Sequence, residues 1–164
     1  MIKSIILTIL VILTFINLYL ITIGKRQKKK NLKQLEILRE SLEKSSIEIL
    51  KSTNMNISSK HFFVTDINRG FLLIFDKINK KFIVINETGF DIFEVNSFKE
   101  CKSKIIIEGK FLLLSATILT TDKNSKEFIF GSKKRKSKSL FGKFIIDTTN
   151  QFTHLINTFI NENR

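Results

Sequence analysis

Residues 70–86 read GFLLIFDKINKKFIVIN. Two runs rich in β-branched and aromatic side chains, 70–76 and 81–86, flank the polar stretch Asp76-Lys77-Ile78-Asn79-Lys80. Each run has the length of a strand and the stretch between them that of a hairpin loop, so the segment predicts two antiparallel strands. The same pattern recurs on both sides of it. Further strands are predicted at 61–65 (HFFVT), 90–96 (FDIFEVN), 104–108 (KIIIE), 111–120 (FLLLSATILT) and 127–130 (EFIF). Glu108-Gly109-Lys110 and Asp122-Lys123-Asn124-Ser125 mark further tight connections. Short strands at a spacing of about ten residues, joined by short loops, argue an antiparallel meander.

After the last strand the apolar period becomes helical. Phe152, Leu155, Ile156 and Phe159 follow i, i+3, i+4, i+7, and Phe141, Phe144, Ile145 and Thr148 extend that face backward. Thr148 and Gln151 would form a capping box for a shorter helix. The longer face instead predicts one helix from about residue 140 to 161, capped by Ser139. Laid on the sheet, it would bury roughly five large side chains at ~1.5–3 kcal/mol each before entropy costs.

Six or seven antiparallel strands and one amphipathic C-terminal helix is the order of a pleckstrin-homology-like fold. The stretches FLLIFDKINKKFIVIN (71–86), FDIFEVNSFKECKSKIIIEGK (90–110) and KEFIF (126–130), followed by the terminal helix, carry that order. On these residues the chain resembles small bacterial membrane-tethered proteins with a PH-like domain, over about residues 61–162. The resemblance implies a fold and brings no activity with it, because fold does not fix function.

Ahead of this domain lies a segment of different character. Residues 5–23, IILTILVILTFINLYLITI, contain no charge. As a helix they span about 28 Å, close to the ~30 Å hydrocarbon core of a bilayer, so residues 2–23 read as one transmembrane helix. Lys3 can snorkel at one end and Tyr19 suits the interface near the other. A cleaved signal peptide would have a shorter apolar core followed by a small-x-small site, and Ile21-Thr22-Ile23-Gly24 offers none. Lys25, Arg26, Lys28, Lys29 and Lys30 follow at once, with Lys33 just beyond. The positive-inside rule then puts the N-terminus outside and the C-terminal domain in the cytoplasm, at the inner (cytoplasmic) membrane. The same cations can attract anionic headgroups at ~1 kcal/mol each.

Residues 24–52 form a basic juxtamembrane segment and helical connector. Leu35, Leu38, Leu42 and Ile49 repeat at helical spacing, and Glu40 with Lys44 makes an i, i+4 pair. The polar core positions make a poor coiled coil, so the stripe is expected either to pack on the following domain or to continue the membrane helix as a stalk. Residues 53–60 read as a linker. The whole is an α+β chain: a transmembrane helix, a connector, then an antiparallel PH-like domain closed by a helix.

The net charge of +13 is unevenly placed. Residues 1–60 carry eleven Lys and Arg against four Asp and Glu, residues 61–131 ten against nine, and residues 132–164 seven against two. The second excess is a run at Lys133, Lys134, Arg135, Lys136 and Lys138, between the last strand and the terminal helix. Cations before a helix N-terminus oppose the macrodipole, so helix stability does not account for them. They read as a solvated loop, as a contact for anionic lipid, or as a site for nucleic acid or an acidic protein. Nucleic acid is disfavoured, since the run has no interleaved aromatic and the domain body is nearly neutral.

Catalytic signatures are missing. There is no HExxH, CxxC, GxSxG or P-loop pattern, and His61 and His154 are far apart in sequence with no carboxylate at ligand spacing. Asp66, Asp76, Asp91 and Glu94 read as solvated strand-end or outward positions. Cys101, the single cysteine, cannot form an internal disulfide and reads as an ordinary half-buried residue. These features predict no cofactor, no metal and no enzyme. The expected role is an interaction or scaffold module at the membrane, binding anionic headgroups or a membrane-protein partner. The competing expectation is a structural subunit of an envelope or secretion-type complex.

Overall fold

The computed structural model describes residues 2–65, 69–108, 111–121, 124–131 and 139–164, with residues 2–9, 108 and 111 described by backbone alone. Helix α1 (Ile2–Thr53) is followed by strands β1 (Ser59–Val64), β2 (Gly70–Asp76), β3 (Lys81–Asn86) and β4 (Gly89–Glu94). A 3-10 turn, Val95–Ser97, leads to β5 (Phe98–Glu108), β6 (Phe111–Thr120) and β7 (Ser125–Gly131), and helix α2 (Leu140–Asn163) ends the chain. Among the described residues the strands build two antiparallel sheets, ordered β1-β2-β3-β4 and β5-β6-β7. The chain is thus α+β, and it divides into two compact units, Met1–Ile37 and Leu38–Arg164.

The first unit is the N-terminal part of α1. From Leu10 to Gln34 its side chains stand exposed, apolar and basic alike.

The second unit is organised by an unusual demand of its central strands. All seven residues of β2 are buried, as are the four central residues of β3. Successive side chains point to opposite faces of a strand, so a run buried throughout must be covered on both sides. Phe71, Leu73, Phe75, Phe82 and Val84 face the main core, shared with β6, β7 and α2. Leu72, Ile74, Ile83 and Ile85 face the other way and pack on Leu42 of α1, with Leu38, Ile49, Leu50, Met55 and Phe62 around them. The connector stripe read from the sequence is therefore the cover of the sheet's second face.

Local devices fix this cover. Asn54 adopts a left-handed conformation (φ 52°) just past the helix end, and the Met55 amide donates to the Leu50 carbonyl at 3.3 Å. Glu43 accepts from Arg39 within the helix at 3.1 Å and meets Lys60 of β1 at 3.3 Å. The Ser58 amide donates to the Phe75 carbonyl at 2.8 Å, which joins the linker to the sheet.

The main core is built from phenylalanine. Ten of the sixteen Phe residues lie in it, among them Phe82 stacked on Phe93 at 5.0 Å and Phe63 edge-on to Phe152 at 5.3 Å. Phenylalanine brings the area of an aromatic ring without a polar tip that would need a buried partner. Helix α2 closes this core with Ile145, Phe152, Ile156, Phe159 and Ile160. The side chain of Ser139 caps it, accepting from the Gly142 amide at 3.0 Å, as the sequence predicted. The expected face is altered at its start, where Phe141 and Phe144 remain exposed while Gly142 and Ile145 are buried.

Because Leu42 is 2 % exposed and packed on Leu72, Ile74, Ile83 and Ile85, Leu42→Ala should cost ~2–5 kcal/mol, the usual range for a core cavity. Ile47→Ala, on the exposed side of the same helix, should stay within about 0.5 kcal/mol of the parent. Urea midpoints of the full-length protein in detergent measure both.

Candidate functional site

The predicted basic segment lies on α1. Lys25, Arg26, Lys28, Lys29 and Lys30 are all exposed, on consecutive turns of one helix. At 3.6 residues per turn, Lys25, Lys29 and Lys33 line one face, Arg26 and Lys30 lie beside it, and Lys28 falls on the other flank. The cations from Lys25 to Lys30 lie within about 8 Å of axis and fan over roughly 200° of the helix circumference. Immediately before them runs the exposed apolar stretch, and the helix from Leu10 onward is long and apolar enough to cross a membrane by length and composition. The second predicted group, Lys133, Lys134, Arg135, Lys136 and Lys138, lies outside the described residues.

A cleft that sequence reasoning did not anticipate opens where the β3–β4 turn meets β7. It has a volume of about 220 Å³ and an apolar floor of Phe71, Phe128 and Ile129. Its rim carries Arg69, Glu87, Lys126 and Glu127. These charges are matched locally: Arg69 meets Glu87 at 3.9 Å, Lys126 meets Asp91 at 3.0 Å, and Glu127 accepts from the buried Ser115 hydroxyl at 2.6 Å. A rim with two cations and two acids, each with a partner in the protein, gives no strong field for an anionic ligand. No short-range motif could have revealed it, since its walls come from the start of β2, the end of β3 with the β3–β4 turn, and β7.

The isolated ionisable groups turn out to be structural. Asp76, expected to be solvated, is fully buried and is the one buried charged side chain among the described residues. Its carboxylate accepts from the amide and side chain of Asn79 at 3.0 and 2.7 Å and from the Asn56 amide at 2.8 Å. Burial by itself pushes the carboxyl pKa up, but the Asn79, Asn56 and Ile78 donors outweigh it and hold the group below its ordinary 3.8. Asp76 thus pins the β2–β3 hairpin to the segment that follows α1. The solvated reading failed because a strand-end aspartate looks the same in sequence whether or not a second chain segment closes over it. Asp66 lies outside the described residues, and Asp91 is taken up by Lys126.

Cys101 is buried at 3 % exposure, more deeply than expected, and burial pushes its thiol up to about 12. Its backbone is held by α2: the Cys101 amide donates to the Asn157 side-chain oxygen at 3.1 Å, and the Asn157 amide group donates to the Cys101 carbonyl at 2.9 Å. Arg164 donates to the Phe98 carbonyl at 2.8 Å. These contacts occupy the outer edge of β5, which would otherwise present unpaired backbone groups. His61 packs edge-on against Phe75 at 6.0 Å, and the exposed His154 lies 3.5 Å from the Thr158 hydroxyl. Among the described residues no group of three or more His, Cys, Asp or Glu side chains is placed to hold a metal ion.

Comparison with known protein families, with curated proteins and with solved structures finds no match to this chain.

Two outcomes follow from these groups. A group whose pKa is lowered by folding stabilises the fold above its unfolded value and loses that contribution as pH falls through the folded one. Stability should therefore drop below about pH 3.8 in the parent and less steeply in Asp76→Ala, which is itself weakened by ~1–3 kcal/mol through its orphaned donors. Chemical denaturation across pH 2–7 reads both effects. Cys101 should resist iodoacetamide at pH 8 in the native protein and react readily once urea unfolds it; rapid native labelling would refute its burial.

Proposed function

We propose that this chain is a single-pass protein of the inner (cytoplasmic) membrane. Residues 2–23 span the bilayer with the N-terminus outside, and the C-terminal unit is a PH-like domain on the cytoplasmic side. The domain works as a non-enzymatic interaction module at the anionic leaflet, engaging lipid headgroups or a membrane-protein partner held there.

The observation that carries this reading is the junction at Gly24. Nineteen residues without a charge, 5–23, end there, and five cations follow within six positions, 25–30. Water is expelled from the first stretch, and the second resists transfer across the hydrocarbon. The described apolar side chains of this stretch are exposed, so the protein itself does not shield them. The cluster of Lys25, Arg26, Lys28, Lys29 and Lys30 suits the negative inner leaflet, at ~1 kcal/mol per nearby cation. Among the described residues, seven antiparallel strands followed by one amphipathic helix support the PH-like reading. The locally matched charges of the cleft, the buried Cys101 and the separated histidines support a binding role over catalysis.

The full-length protein should remain with membranes through an alkaline carbonate wash, and a C-terminal tag should be digested only after the cells are opened. Substituting Gln for Lys25, Arg26, Lys28, Lys29 and Lys30 together should leave a measurable fraction of tags accessible from outside. Release by carbonate, or digestion of the parent's tag on intact cells, would contradict the assignment.

A further inference from the structure

Strand β5 ends its sheet, and its outer edge is closed at the start and open further on. The side chain of Asn157 bonds both the amide and the carbonyl of Cys101, so the backbone of that residue faces away from β6. Backbone direction alternates along a strand, and the β5–β6 register is continuous from Glu100 to Glu108. Ser103, Ile105 and Ile107 therefore also point their amides and carbonyls outward. Among the described residues nothing bonds to these groups. The side chains of Ile105 and Ile107 are 43 % and 59 % exposed. Lys102 pairs with Glu100 at 2.7 Å, but the exposed Lys104 has no ion-pair partner among the described residues. An apolar end strand with free backbone groups is a template for pairing with another chain.

The sequence of the open stretch selects that chain. Residues 104–108 read KIIIE, an order that complements itself when reversed. Laid antiparallel on a second copy about a two-fold axis at Ile106, the stretch sets Ile105 against Ile107 and Ile106 against its own counterpart. Position 104, a lysine, then meets position 108, a glutamate, at both ends. Hydrogen bonding agrees with this register, because Ile105 and Ile107, whose backbone groups face outward, become the bonded pairs. Length agrees as well. The second copy's strand ends at Glu108, opposite Lys104, short of the place where Asn157 holds Cys101.

Opposite charges and apolar side chains facing each other across a ladder are favourable, and like charges directly opposite are not. Moving the axis by one residue to Ile105 would set Lys104 against Ile106. Strand β4, at an end of the other sheet, has no such match. Paired on itself about Asp91 it sets that acid against its counterpart, and about Ile92 it sets Phe90 against Glu94. We propose that residues 104–108 pair edge to edge with the same residues of a second copy, joining two three-stranded sheets into one across a two-fold axis. This inference rests on the reading of α1 as the bilayer span. So short a ladder is a small contact, and confinement to one membrane supplies the effective concentration it needs.

The test uses full-length protein reconstituted into phosphatidylcholine vesicles and treated with a mild oxidant. Opposed residues of an antiparallel pair have Cα atoms about 4.5–5.5 Å apart, within the ~4.4–6.8 Å that a disulfide spans. Ile106→Cys should give a disulfide-linked dimer in about ten-fold excess over Ile78→Cys, which reads random collision. Ile78 is 76 % exposed on the β2–β3 loop, and the native Cys101 is buried. Ile105→Cys mixed with Ile107→Cys should link as well, and neither should link alone; both sites are exposed, so this pair does not depend on the fold of the Ile106 variant. Adding Lys104→Glu to Ile106→Cys, or separately adding Glu108→Lys, should cut the linked dimer roughly five-fold through like-charge opposition. Mixing those two charge variants should restore it, because each copy then supplies the charges the other lacks. Vesicle flotation of the same samples reads the span. Protein that fails to float overturns the span and the pairing with it. Protein that floats, with neither Ile106→Cys nor the Ile105 and Ile107 mixture linking above Ile78→Cys, overturns the pairing alone. Linkage that ignores the charge reversals, or that mixing does not restore, overturns it too.

Discussion

The second unit depends on a sheet that is apolar on both faces. Strands β2 and β3 place Phe71, Leu73, Phe75, Phe82 and Val84 on one side and Leu72, Ile74, Ile83 and Ile85 on the other. Neither face can be left to water, since each large aliphatic or aromatic side chain loses ~1.5–3 kcal/mol of burial free energy when exposed. The main core and α2 cover the first face. The second needs another layer, and the only amphipathic segment nearby in sequence is the C-terminal part of α1. Leu42 and its neighbours supply that layer.

This constraint gives α1 two kinds of surroundings. Its part within Met1–Ile37 is apolar and then cationic, and its part from Leu38 onward belongs to the packing of the domain. In the proposed anchoring, one continuous helix is solvated by lipid at its start and by a β-sheet at its end. Asp76 and Glu43 secure the second arrangement in different ways. Asp76 is a buried acceptor that ties Asn56 to the β2–β3 turn, whereas Glu43 links the helix to Lys60 of β1 through partly exposed ion pairs of small energetic weight.

Much of this was legible in the sequence, and the rest was not for identifiable reasons. Strand existence was readable because β-branched and aromatic runs alternate with polar turns, and the seven marked runs each fall in one of the seven strands of the described residues. The Ser139 cap was readable because capping is local chemistry. Strand β5 begins at Phe98, six residues before the expected run, since FKECKS is mixed in polarity and owes its strand form to pairing with β6 and to the hold of Asn157 on Cys101. The partly exposed Phe141 and Phe144 were read as part of the apolar face because periodicity locates a face without saying how far the opposing sheet extends. The runs GFLLIFD and KFIVIN were read only as strands of a hairpin; that both of their faces are buried, and which segment covers the second face, needed the fold. The cleft at β7 had no sequence signature, because its walls come from separate strands, and the basic residues of α1 were found from composition alone.

The most direct test of this account is hydrogen exchange on the full-length protein in bilayers, resolved by segment. Residues 38–53 should exchange in one cooperative unit with β2 and β3, showing the same protection and the same response to denaturant. Rapid exchange of residues 38–53 while β2 and β3 remain protected would contradict it, because the sheet would then be keeping its second face dry without the helix.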